Sequence, residues 1–144
     1  MRVKAAHVFV FACAAVLAAL AFQVTPSPAE ETRFKPYAAD SFAAAQDAGK
    51  TILVDVFATW CPTCKRQEPI LARLAADPAL SDVMLFRVNW DKDKDFVREH
   101  RIPRQSTILV FKGDTEAGRS VAETRETELR RFVLDAIAEP ASVD

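Results

Sequence analysis

The chain has 144 residues, 50% hydrophobic and 27% charged, the make-up of one ordinary folded domain with an appendage. A formal net charge of −1 leaves no electrostatic footprint for nucleic-acid binding. Three glycines and eight prolines exclude a collagen-like or low-complexity chain.

Residues 1–21 read as a secretory signal peptide or membrane anchor. Arg2 and Lys4 form a short positive region, and an uninterrupted apolar run follows from Val8 to Phe22. Ala19-Leu20-Ala21 is a cleavage pattern of small residues, and Ser27-Pro28-Ala29 is a weaker one. Ala5 to Val24 approaches the roughly 20 apolar residues that span a bilayer, so a retained anchor is the alternative. The Ala-rich end of the run favours cleavage. Cys13 lies inside the run rather than closing it, so it is expected to be a small apolar residue and not a lipid-attachment site. Residues 22–33 are a Pro-rich linker, with Thr25-Pro26-Ser27-Pro28-Ala29 at its centre. The folded domain is expected over 34–144, in the periplasm or otherwise outside the cytoplasm. About 110 residues suffice for one core without staples.

Within that domain, Ala-rich Asp40 to Ala48 predicts a helix ended by Gly49. Thr51 to Ala58 is apolar and β-favouring without alternation, which predicts a strand covered on both faces. Cys61 to Ala76 predicts a helix carrying Pro69 as a kink, and Asp77-Pro78 a turn. Val83 to Trp90 predicts a second buried strand, Asp91 to His100 an exposed charged helix, and Thr107 to Phe111 a third strand. Lys112 to Ala117 predicts a hairpin loop and Gly118 to Ala122 a short fourth strand. Glu126 to Ala138 predicts a closing helix with Leu129, Phe132, Val133, Ala136 and Ile137 on one face, behind an imperfect capping box from Thr124 to Thr127. The order is that of an α/β fold, a mixed sheet of four to five strands between two helical layers.

The chemistry concentrates at Trp60-Cys61-Pro62-Thr63-Cys64-Lys65, between a buried strand and a helix. Unpaired N–H groups at a helix start favour an anion, so the thiol of Cys61 should be acidic. Pro62 suits the first helical position. Cys64 lies beside Cys61 on the same face and can resolve a mixed disulfide. Outside the cytoplasm such a pair can cycle as a redox-active disulfide, and its loop is too small to be a structural staple. Half a zinc site is the bland alternative, but a structural zinc needs four ligands, and beyond the leader only His100 remains. Asp55 sits mid-strand among apolar neighbours. Burial should raise its pKa and make it a proton acceptor for Cys64. Asp91, Asp93 and Asp95 have the first spacing of a calcium loop, but Phe96 and Ile102 stand where Gly and Glu are required. Arg130 and Arg131 are expected simply to be exposed.

Ile52 to Lys65 (Ile-Leu-Val-Asp-Val-Phe-Ala-Thr-Trp-Cys-Pro-Thr-Cys-Lys) resembles the strand and active site of the thioredoxin family, and the resemblance covers nearly all of Ala39 to Ala138. Pro69 matches the kink proline, Asp55 the buried acid, and Arg87 the place of a frequent lysine near that acid. Thr107 to Gly113 matches the later strand and hairpin. The resemblance implies the thioredoxin fold and dithiol–disulfide exchange. The Pro-Thr pair between the cysteines is similar to that of exported reductive thioredoxins of cytochrome c maturation, and the active-site segment to the C-terminal domain of transmembrane thiol-reductase transporters.

One departure stands out. Ser106 occupies the family's cis-proline position, with Gln105 before it and Pro103 three residues early. A cis bond before serine would cost about 2.5–4 kcal/mol, so a trans bond is expected. In the family this loop faces the cysteines and pairs with the substrate backbone, which implies Trp60, Gln105 and Ser106 as substrate-binding residues. Ser106 is expected to face Cys61 and donate a hydrogen bond to its thiolate.

The function expected from the sequence is that of an exported, monomeric oxidoreductase without cofactor or resident metal. It would reduce oxidised protein dithiols with electrons from a membrane thiol-disulfide transporter. The alternatives are a disulfide oxidant or isomerase, and a non-enzymatic metal- or cluster-binding or redox-sensing module that the missing proline would permit.

Overall fold

The computed structural model describes residues 33–138; the predicted leader, Cys13 and most of the predicted linker lie outside the described residues. The elements in chain order are β1 (Lys35–Pro36), α1 (Ala39–Asp47), β2 (Thr51–Phe57), α2 (Pro62–Ala75), a single 3₁₀ turn (Pro78–Leu80), β3 (Met84–Asn89), α3 (Lys94–Glu99), β4 (Thr107–Lys112), β5 (Thr115–Val121) and α4 (Glu126–Ala138). The sheet runs β1-β3-β2-β4-β5. β1, β3 and β2 are parallel; β4 lies antiparallel to β2, and β5 to β4.

β2 is central, and its period of two sorts its side chains between two helical layers. Ile52, Val54 and Val56 join Phe42 and Ala45 of α1 and Phe96 and Val97 of α3. Leu53 joins Ile70, Leu71 and Leu74 of α2 and Leu129 and Val133 of α4. This two-sided burial is why the strand reads as an unbroken apolar run. By the same alternation Asp55 lies on the face of Leu53, under α2 and α4. In register it stands opposite Arg87 on β3 and Ile108 on β4.

α1 ends as expected at Gly49, whose φ is +62°. The Gly49 N–H donates to the Gln46 carbonyl and the Lys50 N–H to the Ala45 carbonyl, the paired bonds of a Schellman motif. Arg33, at the end of the predicted linker, donates from its guanidinium to the carbonyls of Ala75 (2.6 Å) and Leu80 (2.9 Å) and so ties the start of the domain to the end of α2.

Three boundaries differ from the sequence expectation. β1 was not expected: two exposed residues carry no periodicity, and pairing to β3 alone defines them. α3 starts at Lys94 rather than Asp91, because Asn89 and Asp93 side chains first organise a turn. There the Asn89 carbonyl oxygen of the side chain accepts from the N–H groups of Asp91 and Lys92, and Asp93 accepts from the Asn89 N–H. β5 starts at Thr115, so the predicted six-residue loop is a two-residue turn, Gly113-Asp114, with Lys112 paired to Thr115. Gly113 has φ +60°, as the first central position of a type II′ hairpin requires.

A Cβ at Gly113 would also lie 3.3 Å from the Gln46 carbonyl oxygen. Gly113→Ala should therefore lower the unfolding free energy by about 1–2 kcal/mol. Urea denaturation should show a lower midpoint with an unchanged m-value; an unchanged midpoint would contradict the turn assignment.

Candidate redox site

The site is built where β2 ends and α2 begins. Cys61 is the N-cap of α2, with extended backbone (φ −84°, ψ 115°), and Pro62 opens the helix. The Cys61 Sγ takes the role that an oxygen plays in an ordinary cap and accepts from the Cys64 N–H at 3.3 Å. Both cysteines are free thiols and are buried, at 1% and 6% exposure.

Ser106, at the entry to β4, meets both sulfurs. Its Oγ lies 3.2 Å from the Cys61 Sγ and 3.0 Å from the Cys64 Sγ. The residue is fully buried, with φ +64°. Its N–H donates to the Val56 carbonyl at 2.7 Å, and its carbonyl accepts from the Ala122 N–H at 2.8 Å. The bond before it is trans, since the described residues contain no cis peptide. The expected meeting of Ser106 with Cys61 is present, and Cys64 joins it.

Those contacts make the two thiols unequal. Burial alone would raise Cys61, but hydrogen bonds with the Cys64 thiol, the Ser106 hydroxyl and the Cys64 and Thr63 backbone outweigh it and bring the pKa down to about 7. Burial and the hydrogen bond with Cys61 push Cys64 the other way, above the ordinary thiol range. The pair is therefore an acidic thiol beside a more basic one, a nucleophile and a reserve.

Gln67 is a component the sequence reading missed. It is fully buried and donates from Nε2 to the Glu123 carbonyl at 2.8 Å and to the Ser106 carbonyl at 3.4 Å. Its Oε1 has no partner among the described residues. The available signal was its place in the buried stripe Cys64, Gln67, Leu71, Leu74, a polar residue at an apolar position of α2. Glu123 also replaces the predicted Thr124 cap: its carboxylate accepts from the N–H groups of Thr124 and Arg125 ahead of α4.

Trp60 is 57% exposed and donates from Nε1 to the Asp91 carboxylate at 2.8 Å. Gln105 is half-buried beside Ser106. Arg130 and Arg131, expected to be merely exposed, pair with Asp77 and Glu128.

Asp55 is 2% exposed and accepts from Arg87 Nε at 3.0 Å. The Arg87 guanidinium also reaches Glu68 at 3.3 Å and stacks 4.4 Å over the Phe57 ring. Burial raises the Asp55 carboxyl to about 6 against the opposing pull of Arg87. Arg87, Glu68 and Cys64 line a common cavity of about 210 Å³, with Phe57, Ala58, Thr59 and Lys65; Asp55 is set behind Arg87, outside that lining.

An acidic cysteine capping a helix, with a protonated cysteine one turn on and a mixed sheet between two helical layers, defines a dithiol–disulfide exchange protein. Residues 34–135 match the family model described as Thioredoxin. The chain is 42% identical to Trxlp from Edwardsiella tarda EIB202, whose crystal structure superposes with a TM-score of 0.65 over 67% of this chain and 94% of that one. It is 30% identical to a thioredoxin of Echinococcus granulosus, over 65% of this chain and 85% of the relative. Thioredoxin NaTrxh from Nicotiana alata is 27% identical, with a TM-score of 0.66 over 76% of this chain and 97% of that one. The chain belongs to the thioredoxin family and is a thiol-disulfide oxidoreductase.

The raised pKa of Asp55 gives a stability prediction. The folded state holds this proton more tightly than the unfolded chain, so its contribution is full below the unfolded value and is lost as pH rises through about 6. Asp55→Asn removes the cost of a buried charge. It should stabilise the protein by about 2–3 kcal/mol at pH near 8 and by little at pH near 4. Urea unfolding at the two pH values measures this; a variant destabilised equally at both would contradict the assignment.

Proposed function

We propose that the protein works outside the cytoplasm as a reductase of oxidised protein dithiols, fed electrons by a membrane thiol-disulfide transporter. The observation that carries the direction is the degree of Cys61 acidity. A pKa of about 7 is that of a reducing dithiol, whereas strongly oxidising centres hold the thiolate far more tightly, at about 3.5. The Cys61 thiolate is shaped by neutral hydrogen-bond donors, which stabilise it enough to attack without making the disulfide a strong oxidant.

In the catalytic cycle the Cys61 thiolate attacks a substrate disulfide. A mixed disulfide forms, and one substrate sulfur leaves as a thiolate. Cys64 then loses its proton and attacks the Cys61 Sγ. The Cys61–Cys64 disulfide forms, the second substrate sulfur leaves, and the substrate has gained two electrons. The Asp55 carboxylate, its pKa raised by burial, is the acceptor for the Cys64 proton; it stands behind Arg87, which lines the cavity beside Cys64. Trp60 and Gln105 form the rim on which the substrate docks, and Ser106 contributes from beneath it, at the sulfurs. Exposure of the indole beside a buried nucleophile supports this, since an approaching disulfide must enter over Trp60 and past the Gln105–Ser106 backbone. The extracytoplasmic setting rests on the positive, apolar, small-residue leader, and a monomer is the working state.

The test is the steady-state redox condition of Cys61 and Cys64 in cells, fixed by acid and read by thiol alkylation and gel shift. A mostly reduced pair is expected, because a donor must hold it reduced in an oxidising compartment. A mostly oxidised pair would mean an oxidant or an idle protein and would overturn the reductase reading. Cys64→Ser should in addition trap substrates on Cys61 as mixed disulfides, and Cys61→Ser should trap none.

A further inference from the structure

We propose that Ser106 is a two-position hydrogen-bond donor that serves Cys61 before attack and Cys64 after it. The inference deepens the exchange chemistry of the family and does not depend on the direction of electron flow.

A serine hydroxyl has one proton and can rotate it about the Cβ–Oγ bond. At Ser106 that rotation has two acceptors, because the Oγ stands 3.2 Å from one sulfur and 3.0 Å from the other. Nothing else about the residue is free to move. Its N–H is bound to the Val56 carbonyl, its carbonyl to the Ala122 N–H and the Gln67 amide, and its side chain is fully enclosed. The backbone is therefore clamped from β2, α2 and the end of β5, and the one remaining freedom is the direction of the hydroxyl proton. Both sulfurs are nearly without solvent, so whichever carries charge depends on protein donors for its stabilisation.

The charge moves during the reaction. In the resting dithiol it sits on Cys61, and the Ser106 hydroxyl donates there while its lone pair faces the Cys64 thiol. When Cys61 enters the mixed disulfide its sulfur becomes neutral and is a poor acceptor. The hydroxyl proton then turns to Cys64, whose own proton passes to the Asp55 carboxylate behind Arg87. The Cys64 thiolate so stabilised attacks the Cys61 Sγ. The Cys61–Cys64 bond forms, the bond to the substrate sulfur breaks, and that sulfur leaves with the electron pair. Ser106 ends the cycle with the proton it began with. A proline, lacking both hydroxyl and N–H, could do none of this.

Ellman's reagent separates the two roles. It is a small disulfide that releases one thionitrobenzoate when Cys61 attacks and a second when Cys64 resolves the mixed disulfide. Ser106→Ala and Ser106→Gly both delete the hydroxyl, and glycine suits φ +64° and so preserves the fold. In both variants, at pH near 7, each of the two release phases should slow about two- to threefold, and the Cys61 pKa, read from thiolate absorbance, should rise by about one unit. The slowing of the second phase should fade above the Cys64 pKa of the variant, which a purely structural role for Ser106 would not produce. Slowing confined to the first phase would mean that Ser106 serves Cys61 alone and would overturn the proposal. Two unchanged phases would overturn it as well. Since the reagent reports exchange whatever the cellular direction, neither result bears on the reductase reading.

Discussion

The structure turns on the burial of two sulfurs at the point where β2 hands the chain to α2. Taken out of water, a thiolate is costly, and burial by itself would leave both cysteines protonated and inert. What separates them is the hydrogen bond between the two thiols, which lowers Cys61 and raises Cys64, and neutral donors add to the lowering of Cys61. Two are backbone N–H groups of the first turn of α2, available only because Cys61 sits at the cap position. One is the Ser106 hydroxyl, carried in from β4. Pro62 completes the geometry, because its missing N–H falls where no helix partner exists. The pairing of β2 with β4 is thus part of the active site: Val56 at the end of β2 fixes the Ser106 N–H, and Cys61 follows five residues on.

That pairing also explains how the chain lives without the family's proline. At φ +64° and with its N–H committed to Val56, position 106 is closed to proline on two counts, the ring torsion and the missing donor. The departure is more than a lost ring, because the surroundings match it. Gln67, buried at an otherwise apolar position of α2, reaches the Ser106 and Glu123 carbonyls. Ala122 takes a second left-handed conformation to bring its N–H onto Ser106. Two left-handed non-glycine residues joined by a hydrogen bond beside a redox centre mark a loop whose shape the surroundings enforce.

Much of this was legible in the residues. The apolar run of β2, the Gly49 stop, the helix after Cys61 and the acid at Asp55 each follow from local patterns that burial amplifies. The pattern failed where structure comes from pairing partners. β1 is two exposed residues with no periodicity. β5 alternates exposed and half-buried residues, so its first half read as loop, and the Gly113-Asp114 turn was hidden within it. At the site, Cys61, Cys64 and Ser106 were nameable from sequence, but the contact of Ser106 with both sulfurs depends on a backbone conformation that no local rule predicts for serine. Gln67 was missed because a single polar residue in a helix carries no signal until its stripe is known to be buried.

Arg87 shows how a substitution in kind shapes the second titrating group on β2. A lysine ammonium is a compact charge on a flexible stem, whereas the guanidinium is a planar fork with a face. Arg87 uses all of it: Nε on Asp55, the terminal nitrogens on Glu68, and its face over the Phe57 ring. The stacking holds the fork in place, so the positive charge stays at Asp55 when a freer side chain would swing into solvent. Burial pushes the carboxyl up and the fixed cation pulls it back, leaving it near 6 rather than higher. Cys61 and Asp55 are thus tuned by opposite means, the thiol lowered by neutral hydrogen bonds and the acid raised by burial.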